Sequence, residues 1–284
     1  MRTVYLNGNY VLENEASISI FDRGFLFSDA VYEVTAVVNR KLLDFVEHTR
    51  RLRRSLNELS LPLAMTNDEL LDVHHNLVEI NSVDQGIVYL QVTRGNSGDR
   101  DFLFPKTDIP ETVLVFTQKR QILHTAIEKK GLKIISLDDL RWRRNDIKTV
   151  QLLYPSMAKM EAVKRGADDV WLVWEGFVTE GASSNAHIVK NNCTITRNLS
   201  NDILQGITRE SILECARLLE IEVEERPFTL AEAYAADEAF TTSASGFINP
   251  VIEIDGHNIG NGRPGPVSKK LRTTYLKKMM KSSL

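Results

Sequence analysis

Cysteines and long apolar runs are scarce in this sequence of 284 residues. Cys193 and Cys215 are its two cysteines, so they could form at most one disulfide, and their spacing matches no metal site. We therefore expect reduced thiols in a cytoplasmic protein. No apolar segment approaches the roughly 18 residues that a transmembrane helix requires, and the first residues have a strand pattern in place of a signal peptide. We expect no membrane partner.

The sequence also lacks an excess of charge of either sign. It has 35 basic and 38 acidic residues, a net charge of −3, which does not favour nucleic-acid binding. A P-loop, a Gly-x-Ser-x-Gly elbow and histidine pairs at metal-binding spacing are missing as well. We therefore expect no metal site, and a hydrolase triad has no support.

What is present is a mixture of strand and helix patterns. A β-branched strand is predicted at 31–38 and an amphipathic helix at about 47–60. Residues 66–69 form a capping box for a further helix. In the second half we expect a helix over about 152–165 and another that begins with Thr208 as its N-cap. These patterns indicate an α+β fold.

The elements divide into two unlike halves, without a regular βαβ alternation. Residues 119–131 are polar and lack strand periodicity, which is typical of a linker. We predict a small N-terminal domain at 1–118, an interdomain linker at 119–131 and a larger cofactor-binding domain at 132–284.

Three segments of the second half carry complementary chemistry, although each alone would be an ordinary loop, turn or cap. They contain Lys148, then Glu180 at a strand end, then a helix start at 206–209. A lysine amine forms Schiff bases and moves protons, a carboxylate keeps a pyridine nitrogen protonated, and a helix N-terminus binds phosphate. Pyridoxal phosphate needs all three groups, so their order indicates an enzyme that uses this cofactor.

The chain resembles the fold type IV pyridoxal-phosphate aminotransferases, most of all the group that acts on D-amino acids such as D-alanine. The similarity runs nearly end to end and is carried by residues 21–25, 31–33, 47–52, 91–95, 146–148, 179–185, 206–209 and 249–256. It implies a two-domain fold. The N-terminal domain would be small and α/β, and the larger C-terminal domain would contain a mixed, β-barrel-like sheet.

The resemblance also implies roles for individual residues toward pyridoxal phosphate. Lys148 matches the catalytic Schiff-base lysine, Glu180 the carboxylate at the pyridine nitrogen, and Arg51 a phosphate ligand. The other implied cofactor contacts are a residue packed on the ring, two residues of a helix start and two of a loop: Leu204, Ile207, Thr208, Ser243 and Ala244. Ala244 stands where the family often has threonine, so it could offer only its backbone amide.

Tyr32, Arg100 and Ser245 match residues on the substrate side of the site. In the family this arginine comes from the neighbouring subunit, which implies a homodimer with active sites at the subunit interface. The D-alanine group usually has Arg-x-His here, whereas this chain has Phe102 in place of the histidine. A phenylalanine cannot donate a hydrogen bond and can only narrow or dry the pocket.

We expect a transaminase that moves an amino group between a D-amino acid and a 2-oxo acid, either 2-oxoglutarate or pyruvate. Three alternatives share the fold: a branched-chain L-amino acid aminotransferase, an (R)-amine transaminase and a 4-amino-4-deoxychorismate lyase. A catalytically silent vitamin-B6-binding protein is an alternative of another class. Retention of Lys148, Glu180 and Arg51 together argues against the silent protein.

Overall fold

The computed structural model describes residues 1–105 and 109–284. The chain forms two compact units. The first comprises Met1–Ile122, Ile147–Gln151 and Ser282–Leu284, and the second comprises Leu123–Asp146 and Leu152–Lys281. The short segment that contains Lys148 therefore belongs to the first unit. The domain boundaries at 118 and 132 stay a prediction.

The first unit is built on a six-stranded antiparallel sheet with strand order β2-β1-β6-β5-β3-β4. The strands are β1 (Thr3–Leu6), β2 (Asn9–Leu12), β3 (Ala30–Val38), β4 (Lys41–Leu42), β5 (Gln85–Thr93) and β6 (Thr112–Lys119). Its helices are α1 (Arg23–Phe27), α2 (Phe45–Glu58) and α3 (Asn67–Ile80).

Helices α2 and α3 bury one apolar face each in the core of the first unit. Leu52 and Leu56 of α2 and Leu70 and Leu77 of α3 are all buried in one cluster with residues of the sheet. Such burial stabilises the fold by about 1.5–3 kcal/mol for each large aliphatic side chain. The capping box at Thr66 is confirmed, because Thr66 and Glu69 bond to each other's backbone amides.

The second unit contains a nine-stranded mixed sheet of order β12-β11-β10-β13-β14-β7-β8-β9, with β15 beside β14. The strands are β7 (Leu132–Asp138), β8 (Asp169–Trp174), β9 (Phe177–Gly181), β10 (Asn185–Lys190), β11 (Cys193–Thr196), β12 (Glu222–Glu225), β13 (Glu238–Ser243), β14 (Phe247–Ile254) and β15 (His257–Asn258). The helices are α4 (Ala126–Lys130), α5 (Leu153–Lys164), α6 (Ile207–Leu218), α7 (Leu230–Tyr234) and α8 (Pro266–Ser282).

This sheet combines parallel and antiparallel pairs and curls. Strand β7 runs parallel to both β8 and β14, whereas most other neighbours are antiparallel. Strand β9, at one end of the order, also lies close to β10, so the sheet bends back on itself. The predicted fold class, α+β with a mixed and barrel-like sheet in the larger part of the chain, is confirmed.

One helix boundary differs from the sequence prediction. Thr208 is not the N-cap of α6, because the helix begins at Ile207 and its N-cap is Gly206. Gly206 has extended backbone angles and no side-chain cap, and a Cβ atom there would lie 2.0 Å from the Asn185 side-chain oxygen. A side chain at residue 206 would meet Asn185, and Thr208 occupies the second helical position.

The described residues contain no helix that is both long and apolar enough to span a membrane. Cys193 and Cys215 are buried and form no disulfide. In the same part of the chain, no cluster of three or more histidine, cysteine, aspartate or glutamate side chains could hold a metal ion.

Candidate active site

Lys148 is fixed by its backbone and keeps a free amine. Its carbonyl accepts a hydrogen bond from the Tyr32 amide at 3.0 Å, and its amide donates to the Ser55 hydroxyl at 3.3 Å. Thr149 forms a bridge to Val31 of β3. The Nζ atom lies 4.0 Å from the centre of the Tyr32 ring, and no described residue binds it as an acceptor or counter-ion. A held backbone with a free amine suits a Schiff-base lysine.

Tyr32 belongs to a short stack of aromatic rings. Its ring lies 5.5 Å from that of Tyr89, which in turn lies 4.8 Å from that of Phe116, both pairs being nearly parallel. The Tyr89 hydroxyl donates to the Gln91 side chain at 2.8 Å, and burial raises the pKa of Tyr89 above its usual range. The stack therefore holds the Tyr32 ring in place beside the lysine amine.

Arg51 lies in a buried ion cluster of the first unit. Its guanidinium donates two hydrogen bonds to the Glu33 carboxylate, from Nε at 2.8 Å and from Nη2 at 2.7 Å. His48 Nδ1 lies 2.8 Å from the same carboxylate. Burial alone would raise the pKa of Glu33, but the charge and hydrogen bonds of Arg51 and His48 outweigh it and hold that pKa well below its usual range. Glu33 thus fixes the plane of the Arg51 guanidinium.

Two other buried arginines fasten the loop that follows β5. Arg23 donates to the Asp29 carboxylate at 2.8 Å and to the Asp101 carbonyl at 2.7 Å. Arg94 donates to the same Asp29 carboxylate at 2.7 Å and to the Leu59 carbonyl at 2.7 Å. The guanidinium groups of Arg23 and Arg94 therefore donate their hydrogen bonds to groups of the protein itself.

Arg100, on the same loop, is held differently. Its guanidinium carbon lies 4.9 Å from the centre of the Phe27 ring and 4.8 Å from that of Phe102. Within residues 1–105 and 109–284, no group accepts a hydrogen bond from it or pairs with its charge. Nor does a hydrogen bond or ring contact in these ranges join it to Tyr32. Its donors thus remain available for a ligand.

Glu180, in β9 of the second unit, accepts hydrogen bonds from three donors. Arg141 Nη1 lies at 2.7 Å, Asn185 Nδ2 at 2.8 Å and the Leu204 amide at 3.1 Å. Burial raises the pKa of the Glu180 carboxyl above its ordinary value, and the Arg141 charge opposes this shift. The result is a carboxylate that is well hydrogen-bonded and still has an increased proton affinity.

Arg141 is shared between two carboxylates. It donates to Asp139 from Nε at 2.9 Å and from Nη2 at 2.7 Å, in addition to its bond with Glu180. The Thr179 hydroxyl donates to Asp139 at 2.7 Å. Burial would raise the pKa of Asp139, but Arg141 and Thr179 lower it. One cation faces two anions, so these three groups carry a surplus negative charge.

Asn185 connects this cluster to the start of α6. Its Nδ2 atom donates both to Glu180 and to the Leu204 carbonyl, the latter at 2.9 Å. The Leu204 amide donates back to Glu180, so this residue is bound at both its carbonyl and its amide. The carboxylate and the turn before the helix therefore form one hydrogen-bonded unit.

The N-terminus of α6 offers free backbone donors. Gly206 supplies no side-chain cap, and in the described part of the chain the amides of Ile207 and Thr208 donate to no protein group. Free amides and the helix dipole together attract anions. The helix start can therefore bind a phosphate group.

A second candidate phosphate-binding segment is the turn between β13 and β14. It contains Ser243, Ala244 and Ser245, all half-buried. The Gly246 amide donates to the Ser243 hydroxyl at 3.1 Å, and Arg272 of α8 donates to the Gly246 carbonyl at 2.8 Å. These contacts hold the turn in one conformation.

The sequence-predicted residues thus fall into two groups. The first unit holds Tyr32, Arg51, Arg100 and Lys148, and the second holds Glu180, Leu204, Ile207, Thr208, Ser243, Ala244 and Ser245. The structure brings Lys148 beside Tyr32, and Glu180 beside Leu204. Sequence reasoning gave no role to Glu33, His48, Asp139, Arg141 or Asn185. A signal was available for Glu33, because an acidic residue inside an apolar strand needs a buried partner.

Comparison with known proteins places the chain in a family. The model of amino-transferase class IV matches residues 30–254. The chain belongs to the class IV aminotransferases. It is therefore a pyridoxal-phosphate-dependent transaminase with amino acids and 2-oxo acids as its substrates, and the resemblance drawn from the motifs is confirmed.

Individual class IV aminotransferases are similar over almost the whole chain. The D-alanine aminotransferase of Staphylococcus aureus (strain MSSA476) is 35% identical over 277 residues, which cover 98% of each chain. That of Bacillus licheniformis is 36% identical over 270 residues, covering 95% of this chain and 94% of the relative. The structure of the branched-chain aminotransferase of the archaeon Thermoproteus uzoniensis with norvaline has a TM-score of 0.87 at 27% identity and covers 99% of this chain and 95% of its own.

Proposed function

We propose that this protein transfers the amino group of a D-amino acid to a 2-oxo acid such as pyruvate or 2-oxoglutarate. The observation that carries the proposal is the free amine of Lys148, fixed beside Tyr32 without a counter-ion among the described residues. The relatives at 35% and 36% identity are D-alanine aminotransferases, which supports D-amino acids as the donor class.

The residue types that the motifs indicate are those that pyridoxal phosphate requires. Lys148 would hold it covalently, Glu180 would face its ring nitrogen and Leu204 would pack on the ring. Arg51, the amides of Ile207 and Thr208, Ser243 and the Ala244 amide would hold its phosphate. When bound, the cofactor supplies an electron sink that weakens the Cα–H bond of the amino acid.

Proton movement is the task of the protein's own groups. The Lys148 amine would act as the base that takes the proton from Cα of the amino acid and would return it as the acid. Glu180 would accept a hydrogen bond from the protonated ring nitrogen, and the surplus negative charge that it shares with Asp139 would favour that protonated form.

Arg100, Tyr32 and Ser245 would hold the substrate. A guanidinium can meet a carboxylate with two parallel hydrogen bonds, and the donors of Arg100 are available for this. We also propose that the protein is a homodimer in which Arg100 serves the active site of the neighbouring subunit.

A half-reaction with the holoenzyme tests the donor class. D-Alanine should remove the visible absorbance of the lysine-bound cofactor, whereas L-alanine and L-leucine should leave this absorbance unchanged.

Borohydride reduction and peptide mapping should label Lys148. Lys148→Ala should abolish both the visible absorbance and the label. A response to L-leucine alone would replace the proposal with a branched-chain aminotransferase. That is the second candidate, because a solved branched-chain enzyme has a TM-score of 0.87.

Subunit mixing tests the placement of Arg100. Lys148→Ala and Arg100→Ala subunits are each expected to form weakly active homodimers. A mixed dimer then contains one site with an intact Lys148 and an intact Arg100 from opposite chains, so mixing should restore activity. No restoration, with mixed dimers demonstrated by tagging one subunit, would place Arg100 in the site of its own chain.

A further inference from the structure

We propose that Phe27 and Phe102 are positioning residues that hold the guanidinium of Arg100 for the carboxylate of the substrate. The inference rests on the proposed function, because it takes Arg100 as the carboxylate ligand. It assigns to Phe102 a role beyond narrowing the pocket. In the usual Arg-x-His pattern the same position carries a hydrogen-bonding side chain, whereas here two aromatic rings contact the arginine.

The first argument is the geometry of the three side chains. The guanidinium carbon lies 4.9 Å and 4.8 Å from the two ring centres, inside the roughly 6 Å at which a cation is attracted to an aromatic face. The Phe27 and Phe102 rings also contact each other edge to face, with centres 5.5 Å apart and planes at 66°. Arg100 and the two rings therefore form one mutually packed group, which we name the Arg100 cluster.

The second argument concerns what each kind of contact leaves free. A hydrogen-bonding partner would use the N–H groups at the edge of the guanidinium, and these are the groups that bind a carboxylate in a fork. Contact with a ring is an attraction to the cation as a whole and uses none of them. The Arg100 cluster thus restricts the side chain while all of its donors stay available.

The third argument is that the surroundings of the cluster are anchored. Arg23 donates to the carbonyls of Asp101 at 2.7 Å and Leu103 at 3.3 Å, on both sides of Phe102. The same guanidinium lies 4.5 Å from the centre of the Phe27 ring. Arg23 itself is bound to Asp29 and buried. The two rings are therefore attached to a fixed base.

The fourth argument is the exposure of Phe102. Its side chain is 75% exposed, so burial in a core does not explain a large apolar residue at this position. Its ring contacts are with Phe27 and Arg100. A role in holding the arginine accounts for both the residue type and the exposure.

Replacing Phe102 in the holoenzyme tests the inference. We compare Phe102→Leu, which removes the ring, with Phe102→Tyr, which keeps it, and with Arg100→Ala. KM and kcat are measured with D-alanine. Calorimetry gives the Kd of propionate and, as a neutral control of the same shape, of propionamide. Because Phe102 is exposed, we expect the thermal midpoint of unfolding to stay within a few degrees of that of the wild type.

The expected result is a selective loss in carboxylate binding. Phe102→Leu should raise KM for D-alanine and Kd for propionate about two- to fivefold, which is the effect of one exposed cation–aromatic contact. It should change kcat and propionamide binding less, and Phe102→Tyr should behave as the wild type. Arg100→Ala should weaken propionate binding about tenfold or more.

Three different outcomes would overturn the inference. Wild-type propionate binding in Phe102→Leu, with a large loss in Arg100→Ala, would leave Arg100 as the ligand and make the ring contacts passive. No loss in either variant would remove Arg100 from the carboxylate site, so that this part of the proposed function would fail as well. Equal losses in the Leu and Tyr variants would also contradict a role for the aromatic ring.

Discussion

Each unit of the molecule buries a glutamate against an arginine, yet the two clusters differ in their charge. In the first unit Glu33 meets Arg51 through two hydrogen bonds, one carboxylate to one guanidinium. In the second unit Arg141 is divided between Glu180 and Asp139. The first pair is balanced, whereas the second has one anion in excess.

The pKa shifts follow this difference. The full charge of Arg51, with His48, lowers the pKa of Glu33 despite its burial. Glu180 receives only part of the Arg141 guanidinium, and burial then raises its pKa. The same residue types thus give a fixed ion pair that orients an arginine in one unit and, in the other, a carboxylate that still attracts a proton. Sharing an arginine does not decide the direction alone, because Asp139 shares Arg141 with Glu180 and has a lowered pKa, whereas burial outweighs the arginine at Glu180.

The largest effect is expected when the anion of the second cluster is removed. Glu180→Gln should keep the cofactor bound, because the phosphate ligands are unchanged, but should lower kcat about a hundredfold. A carboxylate near a protonated nitrogen favours the charged ring by about 3 kcal/mol at an effective dielectric near 20. Stopped-flow kinetics of the half-reaction with D-alanine would measure the change. Unchanged turnover would mean that Glu180 has only a structural role in its hydrogen-bonded cluster.

Asp139→Asn is the matched control. It removes one of the two carboxylates that Arg141 contacts and leaves one carboxylate, Glu180, for this arginine. Arg141 would then serve Glu180 alone, and the pKa of Glu180 should fall toward the behaviour of Glu33. We expect a smaller loss in kcat than in Glu180→Gln. A loss as large as that of Glu180→Gln would mean that Asp139 acts by holding the fold of the cluster.

Breaking the pair of Glu33 and Arg51 is expected to act on stability. Glu33→Gln removes the carboxylate that accepts two hydrogen bonds from the buried Arg51, and breaking a buried ion pair costs about 3–5 kcal/mol of the free energy of unfolding. A bound phosphate would replace the missing negative charge. The loss should therefore be larger in the apoprotein than in the holoenzyme, as measured by denaturant unfolding of both forms.

His48→Gln provides a control for Glu33→Gln, because it removes a contact of the Glu33 carboxylate and keeps the charges of both Glu33 and Arg51. We expect it to destabilise both forms by a similar and smaller amount. Equal destabilisation of apoprotein and holoenzyme in Glu33→Gln would show that Arg51 does not reach the phosphate.

The fold class and the motif residues could be predicted from the sequence, because they depend on local patterns. The capping box at Thr66 and the helix that contains Pro155 depend on residues a few positions apart, and both are found. The free amine of Lys148 and the position of Glu180 at a strand end are consistent with the roles that the motifs indicate. Those roles stay proposals for the experiments above.

The supporting network could not be predicted, because its contacts join residues distant in the sequence. Arg141 and Glu180 are 39 positions apart, and Glu33 and Arg51 are 18 apart. At the start of α6, a Cβ atom on residue 206 would lie 2.0 Å from the Asn185 side-chain oxygen, and no local rule for caps includes this distant contact. Local propensity decides which elements form, and distant contacts decide where their ends lie.

The smallest expected effect, and the sharpest distinction between the clusters, is the pH dependence of stability. Glu33 has a lowered pKa in the folded state, so its contribution is complete above the unfolded value near 4.3 and is lost as the pH falls through the folded value. Glu180 has a raised pKa, so its contribution is present below the unfolded value and is lost as the pH rises through the folded value. The two contributions to stability therefore depend on pH with opposite signs.

To test this, we compare the unfolding free energies of wild type, Glu33→Gln and Glu180→Gln, as apoproteins, between about pH 7 and pH 4. The difference between wild type and Glu33→Gln should stay constant down to about pH 5 and shrink only in stronger acid. The difference for Glu180→Gln should move in favour of the wild type as the pH is lowered across the same range. Parallel curves for the two variants would show that the two carboxylates ionise alike, and the contrast in their charge balance would then have no consequence for stability.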